Sequence, residues 1–145
     1  MGKMTDKKEK AEKKIIDLAS IDTVAGANKG FDVSIYHPGT LEDLGITITV
    51  LGKDSDLYRQ KSTKMQQKRL DKLAKGGFRK KNMNIDGSDA DAIRLLAECT
   101  TGWIGVIENK EEIPFSVDNA IDLYTKYPWM REQIDEAIAD RSNFL

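Results

Sequence analysis

The chain has 145 residues, 39% of them hydrophobic and 32% charged, which suits one domain with its own core and is too apolar for a disordered polymer. One cysteine, Cys99, excludes an intrachain disulfide, and with one histidine, His37, it also excludes a Cys/His metal site. No run approaches the ~20 apolar residues of a membrane span, and the lysine- and glutamate-rich N-terminus has no apolar signal core, so a reducing cytoplasm is expected.

The formal net charge is only -1, yet it is unevenly distributed. Residues 1–52 carry seven basic and eight acidic side chains, residues 53–81 eleven and three, and residues 82–145 five and thirteen. A basic middle and an acidic C-terminal part can attract each other within one molecule or between neighbouring copies. The sequence leaves both uses open.

In chain order, residues 1–30 read as a mobile or weakly helical segment. Ala11, Ile15, Leu18 and Ala19 form one short helical stripe, which the glycine-rich Ala25–Gly30 stretch should end and which could order on a partner. Residues 31–145 read as a single α+β domain, mainly helical. Alternation of Phe31, Val33 and Ile35, and of Ile46, Ile48 and Val50, predicts a strand pair over 31–52, joined by a loop containing His37-Pro38-Gly39-Thr40. Asp54 or Ser55 should cap a long basic helix over 54–75 that buries one edge at most and stops at Gly76-Gly77. Phe78–Ser88 reads as a polar link.

The remainder, 89–145, reads as a C-terminal bundle of about three helices. The first runs from Asp89 to Cys99, with Gly102 as its stop and Asp86, Asp89 and Asp91 as capping residues. Trp103–Ile107 is a short extended or irregular apolar piece before a Glu108–Glu111 turn. Ser116 caps a helix ending at Tyr127, and Pro128 opens the last one, where its missing N–H removes nothing.

Chemistry finds little purchase in these residues. His37 sits at a turn with no Ser-His-Asp constellation around it, and Cys99 lies in an apolar helix and reads as a small core residue. The Asp86–Asp91 spacing is not that of an EF-hand loop, and Gly26, Gly30, Gly76 and Gly77 are too scattered to cradle a phosphate. No catalytic residue, cofactor or metal is expected. The basic helix, with Arg59, Lys61, Lys64, Lys68, Arg69 and Lys72, could neutralise phosphates. It lacks interleaved aromatics, and the acidic C-terminal part would repel nucleic acid, so a face for an acidic protein patch is the preferred reading.

The order of features carries a resemblance. A strand pair ending in Ile46-Thr47-Ile48-Thr49-Val50-Leu51-Gly52-Lys53-Asp54-Ser55 leads into a basic helix opening with Leu57-Tyr58-Arg59. Then follow Thr101-Gly102-Trp103-Ile104-Gly105-Val106, Ile113-Pro114-Phe115-Ser116, Tyr127-Pro128-Trp129 and a terminal helix ending at Asn143-Phe144-Leu145. Over residues 31–145 this resembles the tail assembly chaperones of long-tailed, lambda-like bacteriophages.

The resemblance implies a non-enzymatic protein of the infected bacterial cytoplasm, absent from the mature virion, that coats the long helical tape measure protein before the tail tube polymerises around it. It also implies self-association and a longer form made by frameshifting, with the tail tube protein as a further candidate partner. The expected contact residues are Trp103, Ile104, Val106, Phe115, Trp129, Ile134, Ile138 and Phe144. Two other readings stay open: another tail morphogenesis factor, such as a completion or joining protein, and a nucleic-acid-binding regulator using the basic helix.

Overall fold

The computed structural model describes residues 14–76 and 83–145, with side chains omitted at 76 and 83–88. Its sheet follows from alternation. β1 (Phe31–Tyr36) and β2 (Asp43–Val50) pair antiparallel, Val33 opposite Ile48 and Ile35 opposite Ile46. The inward Val33, Ile35, Ile48 and Val50 are all buried. On the outer face, Thr49 donates its hydroxyl to Asp32 across the ladder at 2.6 Å.

A third strand, β3 (Thr100–Ile104), pairs antiparallel with β2, placing Trp103 opposite Ile48. Gly102 is therefore a strand residue, not the stop of the preceding helix. Thr100, Thr101, Trp103 and Ile104 are β-favouring types, and pairing with β2 satisfies their backbone groups. β4 (Ile107–Glu108) and β5 (Glu111–Glu112) form a small hairpin whose turn holds Asn109 and Lys110 at positive φ. The C-terminal part thus mixes strands with helices.

Helix α1 (Thr23–Lys29) occupies the stretch expected to be punctuation. Asp22 supplies the reason, accepting a hydrogen bond from the Ala25 N–H as N-cap. Residues 14–22, where the stripe of Ile15, Leu18 and Ala19 was expected to be helical, hold only a 3-10 turn, Leu18–Ile21; Ala11 lies outside the described residues. Ala27 is buried, so the folded body begins at α1 rather than at Phe31.

The basic helix α2 (Asp56–Gly76) is capped by Ser55, whose hydroxyl accepts from the Tyr58 N–H. Tyr58 and Met65 pack against the body, while Leu70 and Leu73 are exposed, so the helix rests on its first half. Helix α3 (Met83–Glu98) starts earlier than Asp89, which places Asp86, Asp89 and Asp91 within the helix and not at its cap. Of the expected polar link, residues 78–82 lie outside the described residues, and 83–88 are helical.

Helix α4 (Val117–Lys126) is capped by Ser116, and α5 (Pro128–Ala139) carries Pro128 in its first turn. Their buried Leu123, Tyr124, Ile134 and Ile138 join Ile93, Leu96 and Cys99 of the α3 segment and the inner sheet face in one cluster. Tyr124 is wholly buried, 2.8 Å from the Thr100 hydroxyl, which itself donates to the Leu96 carbonyl. Having one proton, Thr100 must accept from Tyr124. Burial pushes the Tyr124 phenol up to about 12. Gln133 closes the β1 edge, accepting from the Tyr36 N–H and donating to its carbonyl.

The turn between β2 and α2 ties the ends of the chain together. Gly52 N–H donates to Ala27 and Lys53 N–H to Ile138, while Asn28 accepts from the Asp56 N–H. Asp54 pairs with Arg141 at 2.6 and 3.1 Å in a fork geometry. The Arg141 hydrogen bonds, aided by the Thr23 hydroxyl, lower the Asp54 carboxyl from 3.8 to about 2. A carboxyl depressed on folding contributes stability that is complete above its unfolded value and is lost as pH falls through its folded value. The stability difference between wild type and Asp54→Asn, read from urea unfolding, should therefore hold at pH 5 and above and shrink as pH falls from about 4 to 2.

A candidate protein-binding surface

At the far end of the sheet from α1, two glycines let two backbones cross. Gly45 (φ 74°) and Gly105 (φ 83°) sit in the left-handed region, and a Cβ on Gly105 would overlap the Gly45 carbonyl oxygen. This crossing sets Leu44 and Ile46 beside Val106 and Ile107. Opposite them lies the α4–α5 junction, contributing Leu123, Tyr127, Trp129 and Met130. The groove between has a volume of about 360 Å³ and a mainly aliphatic and aromatic lining. Ile104 and Ile107 are 74% and 66% exposed, and Leu41 is exposed in the β1–β2 loop. Ile107 carries the apolar lining out to solvent, whereas Ile104, opposite Thr47, lies on the outer face of the sheet.

Polar contacts hold this frame. Tyr127 donates its hydroxyl to Glu108 at 2.7 Å, and the Lys126 ammonium lies 3.5 Å from the same carboxylate and 3.2 Å from Asp122. The hydrogen bond to Glu108 raises the Tyr127 phenol above its usual value. The Trp129 ring meets Tyr127 edge-on at 6.1 Å. On the hairpin's other side, Trp103 stacks edge-on against Phe115 at 5.1 Å and donates its indole N–H to the Ile113 carbonyl. His37 caps the β1–β2 loop, its Nδ1 accepting from Gly39 and Thr40.

The expected contact residues divide. Val106, Ile134, Ile138 and Phe144 are 5% exposed or less and belong to the core, Val106 also lining the groove. Their apolar character reflects folding. Trp103, Phe115 and Trp129 are partly buried, and Ile104 is exposed. Of these, Trp129 lines the groove, while Ile104 lies on the outer face of the sheet opposite Thr47. Leu44, Ile46, Ile107 and Tyr127 went unselected in the sequence. The available signal was that Gly45 and Gly105 each stand between apolar residues, as glycines do where backbones approach closely.

The basic face lies elsewhere. Arg59 pairs with Asp56 at 3.1 Å, and Lys61 reaches Glu98 at 3.7 Å across to α3. Lys64 and Lys68 line a shallow depression with Met65, Asp91 and Arg94, and Arg69 and Lys72 are exposed further along α2. Lys61–Glu98 thus joins the basic helix to the acidic C-terminal part within one molecule.

Cys99 is fully buried, and burial raises its thiol to about 12, which removes it as a nucleophile at neutral pH. Among the described residues no group of three or more His, Cys, Asp or Glu side chains could hold a metal ion, and no helix is long and apolar enough to cross a membrane. Comparison with protein-family models, curated proteins and solved structures gives no match.

Proposed function

We propose that this protein is a tail assembly chaperone of the lambda-like type, which binds the tape measure protein and keeps it soluble until the tail tube forms around it. The observation that carries the reading is the apolar groove between Leu44, Ile107 and Trp129, with Ile107 held largely in water at its edge. An amphipathic helix laid in such a groove covers its apolar stripe through aliphatic contacts, with charge setting register around them. Contacts of this size are individually modest and reversible, and repetition along a long client supplies the occupancy. The resemblance in residue order supplies the identity of the client.

On this reading the protein works without catalysis in the cytoplasm of the infected bacterium, self-associates on the client, exists also in a longer frameshifted form and is absent from the finished particle. Co-expression tests it. The tape measure protein should be soluble and co-purify with this chain, and mass spectrometry of purified virions should not find the chain. Its presence at stoichiometric level in virions would favour a completion or joining factor instead. The exposed outer half of α2, with Lys68, Arg69 and Lys72, supports nucleic-acid binding as the second reading. A gel shift with a steep salt dependence would identify it.

A further inference from the structure

The groove has a complement elsewhere in the same chain. Residues 14–21 bury no side chain. Ile15, Ile16, Leu18 and Ile21 are 101%, 60%, 82% and 47% exposed, four large aliphatic groups in eight residues. Among the described residues the segment's hydrogen bonds are local, from Ala19 and Ser20 to Asp17. In sequence, Ala11, Ile15 and Leu18 stand at i, i+4 and i+7, one face of a helix that could form against an apolar partner.

Charge points the same way. Residues 1–14 carry six lysines against three acidic residues. Around the groove, Glu42 and Asp43 precede Leu44, Glu108 lines the wall, and Glu111 and Glu112 pair with Glu108 and Ile107 in the hairpin, whose turn carries Lys110. Of the nearby lysines, Lys126 is already engaged by Glu108 and Asp122. An apolar arm with a basic extension thus matches an apolar groove with an acidic rim.

Arm and groove stand at opposite ends of the sheet. The arm leaves the body through α1, which leads into Phe31 at the Phe31–Val50 end of the sheet, whereas Leu44 and Ile46 lie at the Tyr36–Asp43 end. The length of β1 separates them, roughly 17 Å. We propose that residues 14–21 of one copy dock in the groove of a second copy, with the lysine-rich extension along its acidic rim. Donor and acceptor are different surfaces at opposite ends, so the contact is heterologous and repeats head to tail. The proposal rests on the groove being a polypeptide-binding site, and it names the occupant that a client must displace.

Sedimentation velocity over a concentration series tests it, using the full chain, a variant lacking residues 1–21, and Ile107→Glu. Both changes leave the body intact, since the removed arm buries no described side chain and Ile107 is 66% exposed; circular dichroism checks this. The full chain should associate with rising concentration, and each variant alone should lose association. Their equimolar mixture should form a heterodimer and nothing larger, because each supplies the half the other lacks. A full chain monomeric throughout overturns the proposal, including the case in which the arm folds onto its own groove. So does a variant that associates like wild type, or a mixture that stays monomeric. If arm deletion leaves association unchanged while Ile107→Glu abolishes tape measure capture, this proposal fails and the groove's assignment stands.

Discussion

Truncating Phe144 to alanine is expected to cost about 3–5 kcal/mol of folding stability, the usual range for removing a buried phenylalanine ring. The ring is 5% exposed and sits edge-on to Phe31 at 5.9 Å. Its environment has been narrowed to receive it. A Cβ on Gly52 would come within 2.9 Å of the Phe144 ring, and one on Gly26 would overlap the Phe144 carbonyl oxygen. Neighbours held this closely cannot collapse fully into the space left behind, which places the cost in the upper part of the range. Domains of this size are stable by only 5–15 kcal/mol, so the urea midpoint should fall by about a quarter or more. A loss under about 1 kcal/mol would mean that the chain's end is not packed on α1. The same variant separates packing from contact, since a partner-facing Phe144 would lose binding while keeping stability.

The second large effect concerns binding. Replacing Ile107 by glutamate should lower capture of the tape measure protein at least tenfold, with folding stability changed by no more than about 0.5 kcal/mol, as for most surface substitutions. Ile107 is 66% exposed, so its carboxylate successor remains hydrated in the free protein. Once an apolar helix covers the groove, that carboxylate must be desolvated beside Glu108 without a new cation. Pull-down at matched concentrations reads the loss, and undiminished capture would remove Ile107 from the contact. Trp103→Ala is a poorer probe. Trp103 stacks on Phe115 and donates to Ile113, so its removal loosens the hairpin and mixes stability with affinity.

What the sequence disclosed follows from how locally each feature is encoded. β1 and β2 were legible because their period-two alternation meets one buried face, and the α4 and α5 boundaries because Ser116 and Pro128 act on adjacent backbone. β3 was not, since Thr100–Ile104 is short and becomes a strand through its ladder with β2, about fifty residues earlier in the chain. Helix α1 is not legible in the sequence because Gly26 has the signature of a stop. Gly26 is there to admit the backbone of Phe144, a contact 118 residues away, and the cap that starts the helix is Asp22. The same difficulty divided the expected contact residues. Apolar type alone does not distinguish Ile134, wholly buried, from Ile107, largely exposed; the Gly45–Gly105 crossing does.

The claim on which the account depends is that a partner polypeptide lies along the Leu44–Ile107–Trp129 groove. Site-specific photocrosslinking during co-expression with the tape measure protein tests it most directly, with the photoreactive side chain placed at Ile107, at Thr63 on α2, or at Asp32 on the outer face of the sheet. Tape measure adducts are expected from position 107 and background levels from positions 63 and 32. Adducts from position 63 or 32 with none from 107 would contradict it.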